Sequence, residues 1–251
     1  GVNLLGARAK QGKSSFCKEV ALHVACNLGF NVLVLDTEMS KQDLFAKSLA
    51  SLTNINIKEI ETGQFGTNQG KKNLVYTELK RIKNSPLDYV RVAGKEFDEI
   101  LSIIRRWIHK KVGYDSNGKT KPALVCYDYF KLMSANTLKD MQEYQAIGFQ
   151  ISKLTDFSKQ YDFSTLALVQ LNRDAFSRED SSTISGSDRL VWLAHSFSIF
   201  KDKSPEDIAE DGINLGNKKL IVSESRYGSG HNFGDYINMK FNKATGKIEE
   251  G

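Results

Sequence analysis

The sequence predicts an α/β fold: a mainly parallel, twisted sheet with helices on both faces and an antiparallel hairpin at its C-terminal end. Three observations predict it. Apolar runs of strand length recur at Val2–Leu5, Val32–Leu35, Tyr89–Val92, Ala123–Tyr127, Thr165–Val169, Ser196–Phe200 and Lys219–Ser223. Segments with helical spacing of apolar residues separate most of these runs, as in strands joined by helical crossovers. From Lys219 onward the pattern changes to strands joined by Gly-containing turns, which predicts the hairpin.

The helical segments are defined by their apolar faces. After Lys13, the residues Phe16, Val20, Ala21 and Val24 share one face; Ile100, Ile103, Ile104 and Trp107 share another; Ile147, Ile151, Leu154 and Phe157 form a third stripe. Only three prolines occur, at Pro86, Pro122 and Pro205, and no Pro/Gly/Ser linker or internal repeat divides the 251 residues. One domain over residues 1–251 is therefore expected. Because the chain opens at Gly1 without an initiator Met, further domains are expected upstream. The polar segment His109–Lys121 reads as a solvated loop between a helix and a buried strand.

Composition excludes some classes. With 40% hydrophobic and 26% charged residues the chain is that of an ordinary globular domain. No apolar run reaches the roughly 18 residues of a membrane span, and no signal segment opens the chain, so a cytoplasmic setting without a membrane partner is expected. The net charge of +5 permits nucleic-acid binding without requiring it. Cys17, Cys26 and Cys126 form no C-x-x-C pair and read as reduced core residues; His23, His109, His195 and His231 show no metal-ligand spacing.

The first apolar run leads into Gly6-Ala7-Arg8-Ala9-Lys10-Gln11-Gly12-Lys13-Ser14-Ser15 and then a helix. Strand, loop, Gly-Lys-Ser and helix in this order make the setting of a phosphate-binding P-loop. In such a loop the backbone N–H groups of Ala7–Ser15 and the helix N-terminus surround phosphates. Lys13 neutralises the β and γ oxygens of ATP, and the Ser14 hydroxyl binds Mg²⁺. The spacing departs from G-x-x-x-x-G-K-[ST] at one point: Ala7 occupies the first glycine position and Gly6 lies one place early.

Parallel α/β sheets place their chemistry at the carboxyl ends of the strands. Here the run Val32–Leu35 ends in Asp36-Thr37-Glu38, Ala123–Tyr127 ends in Asp128, and Thr165–Val169 ends in Gln170. Nucleotide hydrolysis needs an acid for Mg²⁺ and a group that activates the attacking water. Asp128 suits the metal. Glu38 suits the base, with Asp36 a competitor placed nearer the strand interior. Gln170 is placed to sense the γ-phosphate.

These residues carry a resemblance. Ala7-Arg8-Ala9-Lys10-Gln11-Gly12-Lys13-Ser14 resembles the A-R-x-x-x-G-K-[ST] loop of the motor domain of DnaB-type replicative helicases and phage primase-helicases, which also has Ala first. Glu38-Met39-Ser40-Lys41-Gln42-Asp43-Leu44, Thr62-Gly63-Gln64, Asp128-Tyr129-Phe130-Lys131-Leu132-Met133, Gln170-Leu171-Asn172-Arg173 and Ser185-Gly186-Ser187 resemble further family segments in the same order. Ser225-Arg226-Tyr227-Gly228 aligns with K-x-R-x-G, and the tail from Phe241 to Gly246 is most similar to the phage enzymes.

The resemblance implies a RecA-like fold and an ATP-dependent motor that translocates on single-stranded DNA and unwinds duplex as a hexameric ring. It implies that Glu38 is the catalytic base, that Arg226 is a finger completing the neighbouring subunit's site, and that Phe241 stacks on the base. It also implies DNA contacts from two channel loops, one with Lys139 and one with Arg173, Arg178, Ser185, Gly186 and Ser187, and a primase as a possible partner in a bacterial or phage-infected cell. One departure stands out: Glu224 replaces the Lys two places before the finger, leaving Lys218 and Lys219 as candidate sources of the missing charge. Two other readings share the loop: a filament-forming recombinase or repair ATPase, and a nucleotide-gated helicase loader without unwinding activity.

Overall fold

The computed structural model describes residues 1–130, 143–171, 193–226 and 234–251. Its centre is a nine-stranded sheet. The strands are β1 (Val2–Ala7), β2 (Asn31–Asp36), β3 (Leu87–Arg91), β4 (Ala123–Asp128), β5 (Ser164–Gln170), β6 (Ser196–Asp202), β7 (Lys218–Ser225), β8 (Ile237–Asn242) and β9 (Lys247–Glu250). They lie in the order β3-β2-β4-β5-β1-β6-β7-β8-β9. The first six in that order are parallel, and β6 to β9 pair antiparallel in succession. The expected hairpin is thus a longer antiparallel extension of the sheet.

Strand alternation divides the core between two faces. Val2, Leu4, Leu33, Leu35, Val125 and Tyr127 point to the face covered by α5 (Phe97–Trp107) and α6 (Glu143–Gln160), where Ile100, Ile104, Trp107, Ile151, Leu154 and Phe157 meet them. Leu5, Ala7, Val32, Val34, Cys126 and Leu168 point to the other face, under α1 (Lys13–Leu22). The buried line of α1 is Cys17 and Ala21, continued by Ala25; Phe16 and Val24, expected at its centre, are only half-buried at its margin. Small residues on that line let α1 lie close to the sheet. Cys17 and Cys126 are buried free thiols, and Cys26 is free and half-buried.

Between β2 and β3 the chain makes an excursion through α2 (Lys41–Thr53), α3 (Ile57–Glu61) and α4 (Gln69–Asn84), packed around Leu49, Ala50, Ile60, Val75 and Ile82. Helix α2 begins with a capping box: the Ser40 hydroxyl accepts from Asp43 N at 3.1 Å, and Asp43 accepts from Ser40 N at 3.1 Å. A last short helix, α7 (Pro205–Asp211), precedes β7. In the segment 109–121 the helical path continues through a wide turn to the buried Val112 before Asp115 organises an exposed loop, accepting from Asn117 N and Lys119 N at 2.8 and 2.9 Å. Among the described residues no helix is long and apolar enough to cross a membrane.

Candidate nucleotide-binding site

The sheet brings Ala7, Asp36, Asp128 and Gln170 to one rim. Register pairs Asp36 with Asp128 across β2 and β4, and Ala7 with Gln170 across β1 and β5. The chain leaves β1 through the loop 8–12 and enters α1 at Gly12, which caps the helix at φ 97°. That left-handed conformation favours glycine. Space at Gly12 is also short: a Cβ there would stand 2.9 Å from the Phe241 ring. Gly6 has a different task. It lies within β1, where a Cβ would meet Leu171 and Phe197 at 3.0 Å, so its place one residue early reflects strand packing rather than phosphate contact.

Lys13 and Ser14 open α1. The Lys13 ammonium lies over the Tyr129 ring, 4.5 Å from its centroid, a favourable cation–π arrangement. The Ser14 hydroxyl lies beside the Asp128 carboxylate and favours its ionised form. Asp128 is buried, and burial is the main reason its carboxyl is pushed up to about 6; the Ser14 hydroxyl and Lys13 act against that, while Asp36 and Glu38 add to it. The Asp128–Tyr129 peptide is cis.

Asp36 is buried as well, and it shapes the turn that carries Glu38. Its Oδ1 accepts from Glu38 N and Met39 N, each at 2.7 Å, while Oδ2 has no hydrogen-bond partner among the described residues. Desolvation raises its carboxyl above the ordinary range, opposed by those two bonds. Tyr89 fixes the same turn by donating to Met39 O at 2.6 Å. Glu38 is therefore presented from a rigid turn, exposed, with its Oε1 accepting from the Tyr129 hydroxyl at 3.1 Å. Tyr129 thus touches both Lys13 and Glu38, a contact that no sequence pattern announced.

Gln170 ends β5 beside the loop, and Leu171 N donates to Ala7 O at 3.1 Å. On the other side Phe241, at the end of β8, faces Gly12. Lys218 Nζ donates to Gln11 Oε1 at 2.7 Å. Lys218 and Lys219 start β7, whereas Arg226 follows its far end, where Arg226 N donates to His195 O at 2.9 Å. Eight residues of extended chain span roughly 26 Å. Arg226 and the loop 8–14 therefore lie at opposite rims of the sheet, and Lys218, on the loop's side, is committed to Gln11 and Asp202. Lys219 is further committed to Asp207 at 2.9 Å. Lys139, Arg173, Arg178, Ser185, Gly186 and Ser187 lie outside the described residues.

The buried charge of Asp128 has a consequence for stability. Its folded-state value lies above the ordinary 3.8, so the ionised form works against folding above about pH 6, and the penalty disappears as the pH falls from there toward 4. Asp128→Asn is expected to raise the melting temperature at pH 8 in metal-free buffer, by the equivalent of roughly 3 kcal/mol. The gap to the wild type should close below pH 6. A gap independent of pH, measured by thermal unfolding, would contradict this assignment.

A parallel α/β domain with a Gly-Lys-Ser turn at the first strand–helix junction, and acids on the adjacent strand tips, defines the class of P-loop nucleotide-binding folds. Residues 1–249 match the model of the DnaB-like helicase C-terminal domain, and the chain belongs to that family. It is 27% identical over 231 residues to the replicative DNA helicase DnaB of Pasteurella multocida, covering 90% of this chain and 47% of that protein. It is 22% identical over 235 residues to a probable replicative DNA helicase of Trieres chinensis, covering 90% of this chain and 48% of that protein. The chain therefore spans about half the length of these curated relatives. Among solved structures, one described as an ATPase domain matches with TM-score 0.77 and 20% identity over 98% of this chain and 83% of that one. A DnaB-like replicative helicase described with its interactions with primase matches with TM-score 0.80 and 20% identity, over 99% of this chain and 57% of that one.

Proposed function

We propose that this chain is the ATP-hydrolysing motor domain of a replicative DNA helicase. The observation that carries the reading is the convergence of Lys13, Ser14, Asp128 and Glu38 from α1, β4 and the β2 turn, with Tyr129 touching both Lys13 and Glu38 and Ser14 beside Asp128. The fit to Mg²⁺ rests on the donor set: a serine hydroxyl and two buried carboxylates side by side, one with an unpartnered oxygen, are hard oxygen ligands short of positive charge. Ser14 and Asp128 would hold the ion, and Asp36 stands behind them. When bound, Mg²⁺ supplies charge neutralisation on the β and γ phosphoryl oxygens.

The remaining work falls to the chain. The amides of Ala7, Arg8, Ala9, Lys10, Gln11, Gly12, Lys13, Ser14 and Ser15 surround the phosphates at the N-terminus of α1, and Lys13 counters their charge. Phe241 forms the wall against the base. Glu38 orients and deprotonates the attacking water, its carboxylate held in place by Tyr129 and by the Asp36-bonded turn. Gln170, next to the loop, reports the γ-phosphate into the segment that follows Leu171. Arg226 acts in a neighbouring subunit, a role supported by its distance from the loop of its own chain. Within the hexamer, single-stranded DNA would be held by Lys139, Arg173, Arg178, Ser185, Gly186 and Ser187, mainly through its phosphates. A primase is the expected partner, and the cytoplasm the setting.

Glu38→Gln tests the base. It keeps the size and a hydrogen-bond acceptor for Tyr129 but cannot take a proton. It is expected to lower kcat by about 10²–10⁴-fold with ATP affinity retained. Unchanged turnover, measured by phosphate release with single-stranded DNA present, would remove Glu38 from the role and shift attention to Asp36. Strand displacement on a forked substrate separates a motor from a loader, and closed rings rather than open filaments in electron micrographs separate it from a recombinase.

A further inference from the structure

A buried cation stands beside the phosphate loop with no part in the hydrolytic chemistry. Lys218 is fully buried (0% exposed) at the start of β7, a strand paired on both sides in the antiparallel part of the sheet. Desolvating an ammonium is unfavourable unless its hydrogen bonds are replaced. The replacements are Gln11 Oε1 at 2.7 Å and Asp202 Oδ1 at 2.6 Å, with the rings of Phe200 and Phe241 at 5.3 and 5.6 Å from the ammonium. Its neighbours in sequence and space serve another purpose. Alternation sends Lys219 to the opposite face, where it pairs with Asp207 and lies over Tyr236; Lys203 pairs with Asp211 under the same ring. Those two lysines fasten α7 to the sheet. Lys218 instead turns toward the loop.

The adjacent residue reinforces this arrangement. The β7–β8 ladder ends at the pair Lys218 and Met239. One step beyond, the side chain of Asn217 takes its place: Nδ2 donates to Phe241 O at 3.1 Å and Oδ1 accepts from Phe241 N at 2.9 Å. Two consecutive residues thus fix the backbone of Phe241 and the side chain of Gln11. The loop has need of an anchor, since Lys10 and Gly12 on either side of Gln11 both adopt positive φ, 64° and 97°.

We propose that Lys218 is a positioning residue of the nucleotide site, tying Gln11 of the phosphate loop to the Phe241 wall so that the two hold a fixed separation for a nucleoside triphosphate. This rests on the reading of Gly12–Ser14 as the phosphate site. Lys218 reaches no reacting atom. Its effect is preorganisation, which lowers the ordering cost of binding and leaves the chemical step alone.

The test is a double-mutant cycle on ATP affinity, measured by calorimetry with Mg²⁺ present, with kcat measured alongside. Lys218→Met and Gln11→Ala are each expected to weaken ATP binding about tenfold, equivalent to about 1.4 kcal/mol. The double variant should bind no more weakly than the weaker single, since both remove one interaction. At saturating ATP, kcat of Lys218→Met should stay within about twofold. Asp202→Asn removes only the ion pair; it should lower the melting temperature and leave ATP affinity unchanged. A folded Lys218→Met protein that binds ATP as tightly as wild type would overturn the proposal. So would multiplicative effects in the double variant, or a loss in Asp202→Asn equal to that in Lys218→Met. If Lys218→Met does not fold, Gln11→Ala decides alone, and unchanged affinity there overturns it. Failure of the underlying site would look different: Lys13→Ala would then bind ATP normally as well.

Discussion

Replacing Lys13 with alanine is expected to lower kcat/KM for ATP by about 10²–10³-fold while the melting temperature hardly moves. The side chain is buried at the rim rather than in the apolar core, resting over Tyr129 in the first turn of α1. Little packing is lost with it, and alanine favours the helix. What disappears is the charge facing Asp128 and, by the proposed reading, the phosphates. Two measurements separate fold from function: thermal unfolding and steady-state phosphate release. Normal turnover in a folded variant would move the nucleotide site away from Gly12–Ser14 altogether.

The second large effect concerns assembly. Arg226→Ala, present in every subunit, is expected to lower kcat by about 10³–10⁵-fold, the range known for arginine fingers, with ATP binding retained. The geometry sets the form of the experiment. Arg226 is bonded through its backbone to His195 near the start of β1, whereas Lys13 follows the end of β1. By the proposed reading, the two variants therefore damage opposite sides of a shared interface. Mixing Arg226→Ala with Lys13→Ala subunits should restore part of the activity, because some interfaces pair an intact loop with an intact arginine. Glu224, exposed two residues before Arg226, brings a negative charge to that surface, and Glu224→Lys is the variant that tests whether it restrains turnover. Mixtures as inactive as either parent would assign Arg226 to surface structure.

Most of the parallel sheet was legible because its strands are buried on both faces and so appear as unbroken apolar runs. Asp36, Asp128 and Gln170 were legible because each terminates such a run and register brings them to one rim. The loop was legible from Gly12-Lys13-Ser14 in its strand–helix setting. Other features were hidden for physical reasons. Lys218 and Lys219 look alike in sequence, yet alternation commits one to Gln11 and the other to Asp207. Both sit at the opposite end of an eight-residue strand from Arg226, on the side of the phosphate loop. Helix α4 is rich in Lys, Asn and Gln and buries only Val75 and Ile82, too sparse a stripe to stand out. The full antiparallel extension depended on pairing between distant segments, which local patterning does not encode. The Tyr129–Glu38 bond joins residues 91 positions apart and needed the fold to be seen.

By the proposed function, a single Mg²⁺-bound triphosphate is enclosed by the first turn of α1 and the tips of β2 and β4. An experimental structure with Mg²⁺ and a non-hydrolysable ATP analogue tests it most directly. The expected density places the metal between the Ser14 hydroxyl and the Asp128 carboxylate, the terminal phosphate against Lys13 and within one water of Glu38, and the base against Phe241. Nucleotide bound elsewhere, or in this loop with Glu38 turned away and no water between them, would contradict the account.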